Sequence, residues 1–195
     1  MQIVDTVKQF VSKYVAMSEK EFALLAHLLE VRHFDKKQWL TKQGEKENYM
    51  NFVVKGLARK FFYKKKEEVI IQLARENEFV SSYESFLLGT PATYSIETIE
   101  PSIFISISRQ NLENLFLSIP KMERLGRLLV NQQFLIKEQW DYDRMRLSSH
   151  ERFVNFINNN PDLLQRVPQK YLASYLNIKP ETFSRLKHLL KKKNK

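Results

Sequence analysis

The 195-residue sequence contains no cysteine. Disulfides, thiolate-ligated zinc and thiolate-held iron–sulfur clusters are therefore excluded. It also lacks an apolar run long enough to span a bilayer, which takes about 20 residues. The opening MQIVDTVKQFVSKYV carries Asp5 and Lys8 and has no uninterrupted apolar stretch of the kind a secretory signal needs. A cytoplasmic, soluble protein without membrane association is expected. Acidic charge is in short supply, with 22 Asp and Glu against 32 Lys and Arg, a net +10. Metal-ligand spacing is missing too. Asp141, Asp143, His150 and Glu151 are the one candidate cluster, and they fit no ligand pattern. They read as solvated faces and a helix cap, so no enzymatic activity, metal or cofactor is expected.

What is present is a core. Hydrophobic residues make up 43% and aromatics 12% of the chain, enough for one large domain or two small ones. The most specific stretch is PQKYLASYLNIKPETFSRLKHLL at 168–190. Pro168 and Pro180 each stand where a helix can begin, since the first helical N–H has no partner to lose. Leu172, Ala173 and Leu176 share one face, Asn177 suits a left-handed helix end, and Ile178 returns to the core. Phe183, Leu186 and Leu190 form the apolar face of a second helix. The pattern is that of a helix-turn-helix, small Ala173 allowing a close crossing.

This arrangement leaves Lys179, Glu181, Thr182, Ser184, Arg185 and His188 largely outside the core, with Gln169, Lys170 and Lys187 beside them as candidate DNA contacts. Arginine reads guanine bidentately and a carboxylate accepts from cytosine N4. An ordinary helical hairpin with a solvated polar face would look the same. The surrounding charge favours DNA: residues 148–195 hold ten Lys and Arg against three Asp and Glu.

In chain order, residues 1–34 follow a helical period, with Ser18 and Glu21 as a capping box. From Gln38 the period changes to short β-rich runs separated by Gly44, Gly56 and the lysines at 64–66, which read as a solvated hairpin tip, with a phosphate site as the alternative. Two more strands follow, near 93–99 and 103–108, and an antiparallel barrel or jelly roll is expected. From Gln110 the chain is helical again, interrupted at Pro120. The helix after it is too long to bury itself on a small barrel. A second copy of the chain is the natural partner, giving a homodimer; a helix lying across its own domain is the alternative. Ser148 opens a further helix with Glu151 as its capping partner.

Helices, β-roll, long helix, hinge and helix-turn-helix, in that order, resemble the Crp/Fnr family of transcription regulators over nearly the whole chain. GEKENYMNFVVKG at 44–56 is similar to the family's glycine-bounded strands, and PETFSR at 180–185 to its recognition helix. The resemblance implies an α+β protein: a cyclic-nucleotide-binding-like sensor domain at 1–119, a dimerisation helix at 120–147, and a winged-helix-like helix-turn-helix domain at 148–195. It implies a homodimer on double-stranded DNA, Glu181 and Arg185 as the base-reading pair, and RNA polymerase as a further partner. A sensing module with secondary DNA binding is the alternative.

The family's nucleotide cassette uses a Gly-Glu pair and a later Arg-Ser. Here Ser81 and Ser82 stand in the first place and Ala92 and Thr93 in the second. Lys137 and Glu138 replace the small hydroxyls of the long helix. Without the arginine a cyclic phosphate would be buried unpaired. Cyclic AMP is therefore not expected to bind in the usual way, although Arg75 or Arg109 stand as possible substitutes for the missing cation. His27 and His33, the histidines of the sensor half, read as structural rather than as haem ligands. The chain ends in KKKNK soon after the recognition helix, so a wing is expected either around 161–167 or in rudimentary form, and the lysines of this tail are expected to contact phosphates without reading sequence.

Overall fold

The computed structural model describes residues 2–193, with side chains over 4–189; Leu190 and Lys191–Lys195, assigned above to the apolar face and to phosphate contacts, lie outside the described side chains. Two helices, α1 (Gln2–Ser12) and α2 (Glu19–His27), lead into eight strands. These are β1 (Glu30–Phe34), β2 (Trp39–Thr41), β3 (Tyr49–Lys55), β4 (Ala58–Lys64), β5 (Glu67–Ala74), β6 (Phe79–Val80), β7 (Ser95–Thr98) and β8 (Ser102–Ser108), with α3 (Tyr83–Leu88) between β6 and β7. Helices α4 (Arg109–Ser118), α5 (Pro120–Arg146), α6 (Ser149–Asn159), α7 (Leu163–Arg166), α8 (Gln169–Tyr175) and α9 (Pro180–Lys193) follow.

The strands form two four-stranded sheets in the orders β1-β8-β3-β6 and β2-β7-β4-β5, with antiparallel pairing throughout the recorded registers. This is the expected jelly roll. Strand β8 explains how the layers hold. Phe104 joins Val53, Ala58, Ala74, Val80 and Ile96 in one core, while Ile105 and Ile107 join a second with Phe10, Phe22, Leu115 and Leu125 of the flanking helices. Successive side chains point to opposite faces, so a strand covered on both sides is apolar on both. Gly56 turns β3 into β4 at φ +101°; a Cβ there would lie 2.7 Å from the Ser102 Cα, so only glycine fits.

Residues 30–34 correct the sequence reading, which placed them in a helical stretch. They form β1, registered on β8 from Glu30↔Ser106 to Phe34↔Ser102. An edge strand with an exposed Val31 carries a weak local signal, and its partner lies some 70 residues on. The place left for a wing, 161–167, holds the short helix α7, and among the described residues no strand follows β8.

The chain divides into two compact units, Met1–Phe62 with Gln72–Gln132, and Tyr63–Ile71 with Gln133–Lys195. The second has its own core, in which Phe153, Leu172, Leu176 and Phe183 are at most 1% exposed.

Candidate nucleic-acid interface and effector cassette

In the second unit, α8 and α9 are joined by a turn with Asn177 at φ 52°, the left-handed end its sequence position called for. Pro180 is the first residue of α9, and Pro168 caps α8 one residue before it starts. Ala173 is buried and its carbonyl accepts the Ile178 N–H at 2.9 Å, closing the turn. Helix α9 packs through Phe183 and Leu186, with the Phe183 ring edge-on to Phe153 at 5.1 Å. Glu181, Arg185 and His188, at spacings of four and three, form an exposed stripe on the opposite side. Thr182, Ser184 and Lys187 flank it half-buried, and Lys179, Gln169 and Lys170 are exposed. Among the described residues neither the Glu181 nor the Arg185 side chain has a hydrogen bond or ion pair. Both side chains are therefore available to a partner.

Arg152 on α6 is a residue the sequence reading only counted as charge. Its guanidinium donates to the carbonyls of Arg144 (3.5 Å), Leu147, Leu176 (3.1 Å) and Asn177 (3.2 Å). It thereby ties the entry of α6 to the α8–α9 turn. Carbonyls at helix ends lack intrahelical partners, and a cation there satisfies them. Ser148 and Glu151 form the expected capping box. Asp141 and Asp143 hold Lys137 and Arg146 on the surface of α5.

In the first unit the cassette positions do structural work. Ser81 Oγ accepts the Asn51 N–H and donates to the Tyr49 carbonyl, both at 3.0 Å, stitching the end of β6 to β3. Ser82 is wholly buried, and its Oγ has no partner among the described residues. The Ser82 N–H donates to Glu47, whose carboxylate also accepts from Thr41 Oγ1 (2.6 Å) and the Tyr49 N–H (3.1 Å). Burial raises the pKa of Glu47 despite these bonds. Ala92 is buried and bonds through its backbone to Gly44 and Glu45, while Thr93 is exposed. Arg75, a candidate substitute cation, faces Glu78 at 3.7 Å. Lys137 and Glu138 belong to the other unit, exposed on α5.

Arg109, the other candidate substitute, has its guanidinium beside Gly89, and a further cation, Lys60, which no sequence signal marked, lies against Ser81. From β4 its Nζ donates to the Ser81 carbonyl at 2.8 Å and lies 4.7 Å from the centroid of the Tyr94 ring. Burial pulls its ammonium down to about 8, against the opposing pull of Glu47 and Glu84. Two cations, Lys60 and Arg32, thus stand near the carboxylates of Glu47 and Glu84 and are offset by them. That balance is poor for an added phosphate.

Residues 31–118 match the cyclic nucleotide-binding domain family. No curated protein matches the sequence. Among solved structures, the chain is similar to the c-di-GMP-responsive global regulator CLP of Xanthomonas campestris, at 14% identity over 91% of this chain and 93% of that one, with a TM-score of 0.71. It is similar to FixK2 of Bradyrhizobium japonicum at 15% identity, over 85% of this chain and 86% of the other, with a TM-score of 0.73. The catabolite activator protein of Thermus thermophilus aligns at 19% identity over 93% and 87%, with a TM-score of 0.55. At these identities the likeness is one of fold: a cyclic-nucleotide-binding-type antiparallel jelly roll with helices.

Proposed function

We propose that this chain, built on the fold of the Crp/Fnr-type regulators, is a homodimeric, sequence-specific DNA-binding transcription regulator that does not answer to cyclic AMP in the usual way. The stripe on α9 carries the reading. Glu181 and Arg185 are one turn apart, exposed and unpaired, on a helix whose other side is fixed in a core. A helix so held, in a basic segment, suits a major groove, where arginine reads guanine and a carboxylate reads cytosine N4.

Dimerisation is supported by α5. From Val130 onward its Phe134, Leu135 and Ile136 are more than half exposed. Apolar side chains in that number on one long helix call for a partner, and a two-fold axis would pair the two α9 helices on successive grooves about 34 Å apart. Insensitivity to cyclic AMP is supported by the cassette, where Ser81, Ser82, Ala92 and Thr93 offer no charge and Lys60 is already matched by carboxylates. Work in the cytoplasm and contact with RNA polymerase belong to this reading; among the described residues no helix is long and apolar enough to cross a membrane.

Fluorescence anisotropy on purified protein tests the reading. Arg185→Ala should weaken operator binding by about 5- to 150-fold, equivalent to 1–3 kcal/mol, and leave random DNA nearly unaffected. An equal fall on both would reduce Arg185 to a phosphate contact and remove the base-reading role.

A further inference from the structure

The turn between β4 and β5 carries Lys64, Lys65 and Lys66, with Lys65 in the left-handed conformation at φ 59°. All three are exposed, and among the described residues none of their side chains has a hydrogen bond or ion pair. Lysines on a sheet edge commonly serve to keep other strands away. That explanation does not fit here, because the edge of β5 is already covered. Ser174 Oγ on α8 accepts the Ile70 N–H at 3.0 Å and donates to the Glu68 carbonyl at 2.9 Å. One side chain occupies the backbone donor and acceptor that a further strand would use.

Those two bonds have a second consequence. They fasten the hairpin end to the first helix of the helix-turn-helix, and residues 63–71 fall in the same compact unit as α6 to α9. Ser174 lies one helical turn beyond the exposed Lys170 on α8, so the two share a face. The hairpin lysines are therefore held next to a helix that already presents a basic side chain. In a flexible loop three lysines would lose much of their attraction to the entropy of ordering; on an anchored hairpin less is lost.

We infer that the β4–β5 tip is a second element of the DNA interface, in which Lys64, Lys65 and Lys66 contact backbone phosphates and add affinity without reading sequence. This inference rests on the DNA-binding reading above. It departs from that reading by recruiting a hairpin of the β-roll, and it makes Ser174 the residue that positions it.

The test is the salt dependence of binding to a fixed random-sequence duplex. The wild type is compared with the triple variant Lys64→Ala, Lys65→Ala, Lys66→Ala and with a charge-matched control, Lys20→Ala, Lys36→Ala, Lys42→Ala, at exposed positions of the other unit. Each phosphate contact contributes a log–log slope of about −0.9, so the tip variant should be shallower by up to about 2.7 and lose up to about 40-fold less affinity between 50 and 200 mM salt. The control should keep the wild-type slope. Ser174→Ala, with every lysine retained, should move the slope in the same direction as the tip variant. Equal slopes for wild type and tip variant overturn the inference. So does a tip variant with normal DNA binding that loses only stimulation of transcription, since the lysines would then face a protein. A wild type that binds no duplex at any salt fails the DNA-binding reading itself, a separate outcome.

Discussion

At Lys60 an ammonium is held partly out of water, its charge steadied by a carbonyl, an aromatic face and two carboxylates. Its folded pKa of about 8 lies below the ordinary 10.5, so the folded state binds protons less readily than the unfolded one. The sign follows: charged Lys60 costs stability in full below about pH 8, and the cost is relieved as pH rises from about 8 to 10.5. Relative to Lys60→Met, the wild type should therefore gain up to about 3 kcal/mol across that interval, less whatever solvent screening removes. Urea denaturation of both proteins at a series of pH values measures it; parallel curves would show an unperturbed lysine. Lys60 escaped the sequence reading because burial beside Ser81 is a product of β4 meeting β6 through the fold. Asn177 and the Ser148–Glu151 box were legible, because left-handed helix ends and capping obey rules that reach only three or four residues.

Among the elements, the α8–α9 pair depends on a side chain outside it. Arg152 donates to four carbonyls, two of them in the turn that sets the angle of α9. Hydrogen bonds from a charged donor contribute about 1.5–3 kcal/mol, and the carbonyls would be left short of partners. Arg152→Ala should lower stability by about 2–3 kcal/mol and weaken DNA binding, while Arg152→Lys, with a single point of charge, should recover only part. Thermal melts paired with anisotropy distinguish this from a direct DNA contact, which would leave the melting temperature alone. The longer helices were legible element by element, since each amphipathic period and each proline is local, whereas the short α3 and α7 span too few turns to show a period. β1 was not, because an edge strand of five residues is defined by its register on β8. The bonds between Ser174 and β5 span more than 100 residues of sequence and leave no trace in either segment.

For the whole molecule, the account needs two copies. Phe134 and Leu135 are 63% and 62% exposed on α5, a heavy apolar load for a monomer in water. Leu135→Asp combined with Phe134→Asp should convert a dimer to a monomer by light scattering and, with the paired helices lost, cut operator affinity by at least 100-fold while each folded monomer remains intact by circular dichroism. A wild type that is already monomeric at micromolar concentration would remove the dimer from the account. The central claim, a regulator competent without an added nucleotide, is reached most directly by selecting bound duplexes from a random library with the purified chain alone and sequencing them. The account predicts an inverted repeat with half-site centres about one helical turn apart, recovered equally with and without cyclic AMP. Recovery of no sequence above the starting library, or of a repeat only when cyclic AMP is added, would contradict it.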